Sequence, residues 1–140
     1  YPIDLKRDCD NKKPVAIQSQ PVLCFHHKNH LALRAGLEAM GLTFIVKETD
    51  RLPQLNAVAI PAGVDDAAVR SRLLNEYNLE IGAGLGALAG KVWRIGLMGH
   101  ASRAENILLC IGALESVLGD MGAKIKPGVA LPAMQKVLGS

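Results

Sequence analysis

Aromatic side chains are scarce in this chain. Phe, Trp and Tyr together make up 4% of its 140 residues, so the flat surfaces on which nucleic-acid bases stack are few. A concentration of positive charge is also missing, because the formal net charge is only +3 and basic and acidic residues are scattered along the sequence. Nucleic-acid binders usually collect Lys and Arg on one face. The two shortages argue against a nucleic acid as the partner.

Long apolar runs are absent as well. No segment approaches the ~18 consecutive apolar residues that span a bilayer, and residues 1–4 do not begin a signal peptide. The three cysteines, Cys9, Cys24 and Cys110, are an odd number without a CxxC pair, which is typical of reduced thiols. We therefore expect a cytoplasmic protein without a membrane partner. The missing initiator Met predicts a fragment or a processed product.

Hydrophobic residues, in contrast, are plentiful. They make up 49% of the chain against 21% charged residues, which is typical of a globular domain with its own core. Residues 1–28 fit this description less well, because Pro14, Pro21 and clustered Lys and Asp break any periodicity. We interpret residues 1–28 as a leader or tail outside the fold and residues 29–140 as the domain.

Two helix starts are indicated by capping residues. Asn29 is a typical N-cap for a helix that runs to Met40 and stops at Gly41. Ser102 and Glu105 have the spacing of a capping box, in which a hydroxyl and a carboxylate satisfy free backbone N–H groups. That capping box predicts a long helix ending near residue 118.

The remaining periodicity predicts a small mixed fold. Further helices are predicted from Asp65 or Asp66 to Tyr77 and over residues 131–138, and strands over residues 43–46, 56–60 and 92–98. The order α, β, β, α, β, α, α indicates an α+β two-layer domain, with helices covering a short, mainly antiparallel sheet.

Two features carry candidate chemistry. The glycines at 82, 84, 86 and 90 superficially resemble a phosphate-binding loop, but they precede a strand instead of a helix, which favours backbone bends beside a sheet. Arg94 lies in the apolar strand VWRIGLM, where a guanidinium must pair, emerge to solvent or bind an anionic ligand. A solvent-facing arginine and a carboxylate-binding arginine both remain open. Gly96, on the same strand face, would leave room for a small acid beside Arg94.

The histidines near the start of the domain give a weaker signal. His26, His27 and His30 follow Cys9 and Cys24, but the spacing matches no zinc-binding pattern. A solvated segment without metal is the favoured interpretation.

Four segments in order carry a family resemblance: RLPQLNAV (51–58), LEIGAGLG (79–86), GKVWRIGLMG (90–99) and RAEN (103–106). With them the chain resembles the C-terminal small domain of class V pyridoxal-phosphate-dependent aminotransferases, most closely the alanine–glyoxylate and serine–pyruvate branch. The resemblance covers residues 29–140 and implies the small-domain fold of fold-type I aminotransferases.

The resemblance also implies a function. The full polypeptide would be a homodimeric transaminase that moves an amino group from alanine or serine to glyoxylate or pyruvate. Its pyridoxal phosphate would form a Schiff base with a lysine of the large domain. By its position in the KVWRIG block, Arg94 would be the arginine that grips the α-carboxylate of the substrate.

The large domain of that family has no counterpart in this sequence. None of the lysines lies in a context that resembles the Schiff-base lysine, so the chain alone would carry no catalytic, cofactor or metal residue. We expect the isolated chain to be inactive, to bind no pyridoxal phosphate and to self-associate through uncovered apolar surface. The alternative is a non-catalytic binding module with the same fold. Cysteine desulfurases and phosphoserine aminotransferase are third candidates, which the KVWRIG block favours less.

Overall fold

The computed structural model describes the backbone of residues 20–139 and the side chains from residue 26 onward. Its first element is helix α1, Gln20–Met40. The apolar residues Leu33, Leu37 and Met40 recur at helical spacing and are fully buried. Gly41, with φ at 98°, ends the helix in a left-handed conformation, as predicted.

The predicted start of this helix is wrong. Helix α1 begins at Gln20 and runs through Asn29 without interruption, so Asn29 is not an N-cap. Its side-chain amide bonds to a distant loop instead, as described below. The division of the chain at residue 29 remains a prediction, and residues 1–19 lie outside the described part.

Three strands form one antiparallel sheet. They are β1 (Leu55–Ala59), β2 (Gly82–Ala83) and β3 (Val92–Gly96), and β3 lies in the centre. In the register, Arg94 is opposite Ala57 on one side and Gly82 on the other. The strand predicted over residues 43–46 is reduced to a single bridge between Phe44 and Val58.

Helix α2, Asp66–Tyr77, follows β1 and has the predicted bounds. Asp65 caps it, because the Asp65 carboxylate accepts a hydrogen bond of 2.8 Å from the Ala68 backbone N–H. Asp66 accepts a further hydrogen bond from the Trp93 indole N–H, at 2.9 Å, and ties the helix to the central strand. Arg70 donates to the same carboxylate and thereby lowers the pKa of Asp66.

Helix α3, Ala104–Asp120, and helix α4, Ala130–Leu138, complete the fold. Pro132 lies in the first turn of α4, where its missing N–H costs no helical hydrogen bond. The predicted capping box is wrong, because α3 has Arg103 at its N-cap position and no side-chain cap. Ser102 is buried and directed elsewhere.

The core lies between the helices and one face of the sheet. Val58, Trp93 and Ile95 belong to the same buried cluster as Leu37 of α1 and Leu114 of α3. Helix α1 packs on α3 and α4, and α2 packs on α3. The predicted α+β architecture, an antiparallel sheet covered by helices, is confirmed. None of the helices in residues 20–139 is long and apolar enough to cross a membrane.

Candidate functional site

Arg94 lies in the middle of the central strand β3. Side chains alternate between the two faces of a strand, so Trp93 and Ile95 are directed into the core while Arg94 and Gly96 belong to the opposite face. The exposures agree, because Trp93 and Ile95 are buried, Arg94 is half-buried and Gly96 is exposed. The strand therefore presents one guanidinium on the sheet face opposite the core.

The guanidinium is held by the neighbouring strand. Arg94 Nε–H donates a hydrogen bond of 2.7 Å to the carbonyl oxygen of Ala83 in β2. Among the residues that the structure describes, no carboxylate lies within ion-pair distance of Arg94. Nε is thus engaged, and the two terminal nitrogens form a fork that suits a carboxylate.

Small residues lie beside Arg94 on this sheet face. A Cβ atom placed on Gly82 would lie 3.4 Å from the Arg94 Nη2 atom, whereas a Cβ on Gly96 would contact only the Met98 Cε atom, at 3.9 Å. Ala57, opposite Arg94 on β1, adds only a methyl group. The surface beside the guanidinium is therefore low and open enough for a small acid.

Apolar side chains border the same face. Leu55 pairs with Gly96 across the strands, and the exposed fractions of Leu55 and Met98 are 43% and 61%. Leu52 forms an isolated bridge to Leu55 and is exposed to 63%. We call Leu52, Leu55 and Met98 the apolar rim. The guanidinium itself is directed towards Ala83 of β2. A charged fork on a sheet face that also carries apolar side chains can bind a small molecule that has a carboxylate at one end.

A cleft of about 480 Å³ lies near the end of β3, where the core residues Ile95 and Leu33 form part of its lining. Gly96 belongs to its wall but Arg94 does not, and its other lining residues include His100, Asn106 and Cys110. Cys110 is buried, which raises the pKa of its thiol to about 12 and keeps it protonated. We place the candidate chemistry at Arg94 because the cleft is lined by Glu80 but by no lysine or arginine, so it lacks a permanent positive charge for a carboxylate.

The predicted solvated segment is wrong for these histidines, because His26 and His30 make polar contacts between α1 and the rest of the domain, the first half-buried and the second buried. His26 Nδ1 lies 3.0 Å from Ser102 Oγ, and Asn29 donates hydrogen bonds to both the hydroxyl and the carbonyl oxygen of Ser102. His30 Nδ1 contacts Asn56 Oδ1 at 2.6 Å. Burial lowers the pKa of His30 because it disfavours the charged imidazolium.

These contacts are structural and not metal-binding in form. Among residues 20–139 no group of three or more His, Cys, Asp or Glu side chains is arranged to hold a metal ion. The side chains of Cys9 and Cys24 lie outside the described set.

Sequence reasoning singled out Arg94 and Gly96 but missed β2 as a strand. Glycine is rare in strands, so Gly82–Ala83 resembled a bend. The alternation of Gly and Ala just before an arginine-containing strand was the available signal. The contact between Ser102 and α1 was also not predicted from the sequence, because a polar residue just before a helix looks the same as a helix cap.

Known proteins resemble this chain clearly, although no family profile matches it. It is 43% identical over 108 residues to the (S)-ureidoglycine–glyoxylate transaminase of Bacillus subtilis, covering 77% of this chain and 26% of the relative. The crystal structure of ureidoglycine–glyoxylate aminotransferase from Bacillus subtilis superposes with a TM-score of 0.84 at 38% identity, covering 89% of this chain and 32% of the other. An alanine–glyoxylate aminotransferase structure from Nostoc sp. is 52% identical, with a TM-score of 0.68 and coverages of 72% and 27%.

The fold and the sequence thus both identify the homologues of this chain as aminotransferases. More particularly, these homologues are class V aminotransferases that use glyoxylate, and the resemblance drawn from the sequence is confirmed. The chain spans about a quarter of the length of the curated relatives it matches.

Proposed function

We propose that this chain is the small-domain part of a pyridoxal-phosphate-dependent transaminase that moves an amino group from alanine or serine to glyoxylate or pyruvate. Arg94 binds the carboxylate that these amino and keto acids share. The observation that carries the proposal is the Arg94 fork, fixed through Nε by the Ala83 carbonyl, with small neighbours on an otherwise apolar sheet face.

The role of Arg94 in this proposal is binding and orientation. A guanidinium accepts a carboxylate through two parallel hydrogen bonds, which fixes both the position and the plane of the acid. Because the strand and the Ala83 carbonyl hold the arginine in advance, little conformational freedom is lost when the acid binds. The amino or keto group at the other end of the substrate is then held in one direction.

The cofactor would be held by other parts of the polypeptide. Every lysine in the described part of the chain is exposed: Lys28, Lys47, Lys91, Lys124, Lys126 and Lys136. An enclosed lysine, which could be kept neutral and reactive by burial, is not offered by this segment. Pyridoxal phosphate supplies the electron sink for the transfer of the amino group. We therefore propose that the isolated chain is inactive. We also propose, from the family resemblance, that the intact enzyme is a cytoplasmic homodimer.

The test uses the full-length polypeptide that contains this segment. Arg94→Ala should raise the half-saturation constants for amino acid and keto acid by ~100-fold or more, since a charge-assisted bidentate contact is worth ~3 kcal/mol. The absorption spectrum of the bound cofactor should be unchanged. Arg94→Lys should restore only part of the loss, because an ammonium lacks the planar fork.

Arg72→Ala is the matched control. Arg72 is on α2 and pairs with Glu76 and Asp120 at the surface, so its removal should leave substrate saturation unchanged. Equal half-reaction kinetics in wild type and Arg94→Ala would contradict the assignment of Arg94. If the full-length protein shows no transaminase activity with any of these four substrates, the non-catalytic binding module becomes the better account.

A further inference from the structure

Strand β2 is unusually short and is made of the smallest residues. It consists of Gly82 and Ala83, and it pairs with β3 beside Arg94 and Trp93. Two residues of edge strand bury little apolar surface, and glycine lowers the stability of a strand. The buried Ile81, directly before β2, anchors the chain to the core. It does not explain why residues 82 and 83 are so small, and their relation to Arg94 does.

The first relation is a hydrogen bond. The carbonyl oxygen of Ala83 accepts the Nε–H of Arg94 at 2.7 Å. A flexible arginine side chain has several rotamers, and this bond selects one of them. With Nε engaged, the edge of the guanidinium formed by Nη1 and Nη2 remains for a ligand.

The second relation is the missing side chain of Gly82. An added Cβ would lie 3.4 Å from both Arg94 Cβ and Arg94 Nη2, which is ordinary van der Waals contact. Gly82 is not one of the glycines with a positive φ, so an alanine can adopt its backbone conformation. A methyl group there would cover Nη2 without disturbing the fold, because nothing in the strand has to move.

The third relation fixes the position of β2 itself. Gly84, directly after the strand, donates its backbone N–H to the carbonyl oxygen of Val92 at 2.9 Å. A Cβ on Gly84 would lie 2.1 Å from the Leu88 carbonyl oxygen, so only glycine lets the following turn close tightly. This tight turn holds the Ala83 carbonyl in register with Arg94.

We infer that β2 is a positioning element for carboxylate binding, in which the Ala83 carbonyl orients the Arg94 guanidinium and the bare Gly82 keeps its Nη2 edge accessible to the acid. The inference rests on the proposed function of Arg94. It makes Gly82 a positioning residue that acts through Arg94, and it assigns a purpose to the glycine pattern that superficially resembled a phosphate loop.

The test is a double-mutant cycle in the full-length enzyme, with single-turnover half-reactions of L-alanine and, separately, of glyoxylate. Gly82→Ala should raise both half-saturation constants about tenfold, the equivalent of one weakened charge-assisted hydrogen bond, while the limiting rates change less than about twofold. In the Arg94→Ala background, Gly82→Ala should have no further effect, because the interaction through which it acts is already gone.

Gly119→Ala serves as the control for a glycine-to-alanine change. Gly119 is exposed on α3, and an added Cβ meets no atom within 4 Å, so both half-saturation constants should stay at the wild-type value. Thermal unfolding of Gly82→Ala within a few degrees of wild type would show that the fold is kept.

The possible outcomes separate the two proposals. An effect of Gly82→Ala that disappears in the Arg94→Ala background supports the inference. An equal effect in both backgrounds, or no effect in either, overturns it while leaving Arg94 as the carboxylate ligand, provided that Arg94→Ala alone weakens saturation. If Arg94→Ala has no effect, the proposed function fails first and the inference fails with it.

Discussion

At the scale of single residues, burial decides the charge state of His30. This imidazole is 5% exposed and contacts Asn56 Oδ1 at 2.6 Å. Asn56 in turn donates to the carbonyl oxygen of Ile95, at 3.2 Å, in the central strand. The contact therefore links α1 to the sheet that presents Arg94. Because burial lowers the pKa of His30 below its ordinary value of 6.5, the folded protein holds the neutral imidazole at neutral pH.

This arrangement predicts a loss of stability in mild acid. The folded pKa of His30 lies below the unfolded value of 6.5, so the unfolded chain binds the proton more readily at any pH between these two values. The stabilisation is complete above 6.5 and is lost as the pH falls toward the folded pKa. Urea unfolding at pH 7.5 and 5.5 should show this loss in wild type and a smaller one in His30→Gln, which has no titrating ring. An equal loss in both proteins would contradict the assignment.

Asn29 shows the cost of an unpaired buried group. Its amide is 4% exposed and donates to the Ser102 carbonyl oxygen at 3.0 Å and to the hydroxyl at 2.9 Å. Asn29→Ala leaves both acceptors without this donor and should lower the free energy of unfolding by ~1–3 kcal/mol. Asn75→Ala removes an exposed hydrogen bond to Ser71 on α2 and should change it by less than ~0.5 kcal/mol. Chemical denaturation of both variants measures these changes. Equal losses of unfolding free energy in the two variants would show that the Ser102 contact does not account for the effect of Asn29→Ala.

At the scale of elements, the close approach of α1 to α3 depends on Gly36. A Cβ at this position would lie 2.4 Å from the Ile111 Cδ1 atom and 3.3 Å from the Ala130 carbonyl oxygen of α4. The glycine is therefore required by packing, although it lowers the helix propensity of α1.

Two glycine-to-alanine variants should consequently have opposite effects. Gly36→Ala should destabilise the domain by ~1–3 kcal/mol, because Ile111 is fully buried and has little space in which to move. Gly112→Ala in α3 meets no atom within 4 Å and should stabilise by up to ~1 kcal/mol through helix propensity. Thermal melts of the two variants test the difference in sign. A gain in stability for Gly36→Ala would refute the close packing of α1 on α3.

Element prediction from local chemistry was accurate at some helix ends, although the local capping signals at Asn29 and Ser102 were misleading. The Asp65 cap, the Gly41 stop and helix α4 were predictable because each depends on residues within one turn. The start of α1, the short β2 and the role of Ser102 were not predictable, because each depends on contacts between residues far apart in the chain. The strand predicted around Phe44 was another error of this kind, because it is reduced to one bridge. The Phe44 ring instead contacts Arg51, whose Cζ atom lies 4.6 Å from the ring centroid.

At the scale of the whole molecule, the sheet has two different faces. One face is covered by helices, whereas the face with Arg94 carries Leu55, and the exposed Leu52 and Met98 of the apolar rim lie just outside the strands. Exposed apolar patches of this kind mark surfaces that contact other molecules or other parts of the same protein. The chain spans only about a quarter of the length of its curated relatives. We therefore propose that other parts of the polypeptide cover this rim in the intact enzyme.

The isolated chain should therefore self-associate through the rim. We expect sedimentation velocity to show a concentration-dependent shift to larger species, and the double variant Leu55→Gln and Met98→Gln to reduce it. Leu74→Gln changes a residue of α2 that is exposed to 48%, a value similar to that of Leu55, and should leave the association unchanged. A monomer at high concentration in the wild-type chain would contradict the prediction, and an equal reduction by Leu74→Gln would place the contact elsewhere.

The sequence by itself determined the α+β class, most helix ends, the candidate Arg94 and the aminotransferase resemblance. These follow from periodicity, from the Asp65 cap and the Gly41 stop, and from segments of adjacent residues, all of which are local properties of the chain. Only the tertiary structure decided that Ala83 holds the guanidinium, that Gly82 leaves it accessible and that Asn29 and His26 meet Ser102. These features depend on strand register and helix packing, which bring together residues that the sequence separates by as many as 76 positions.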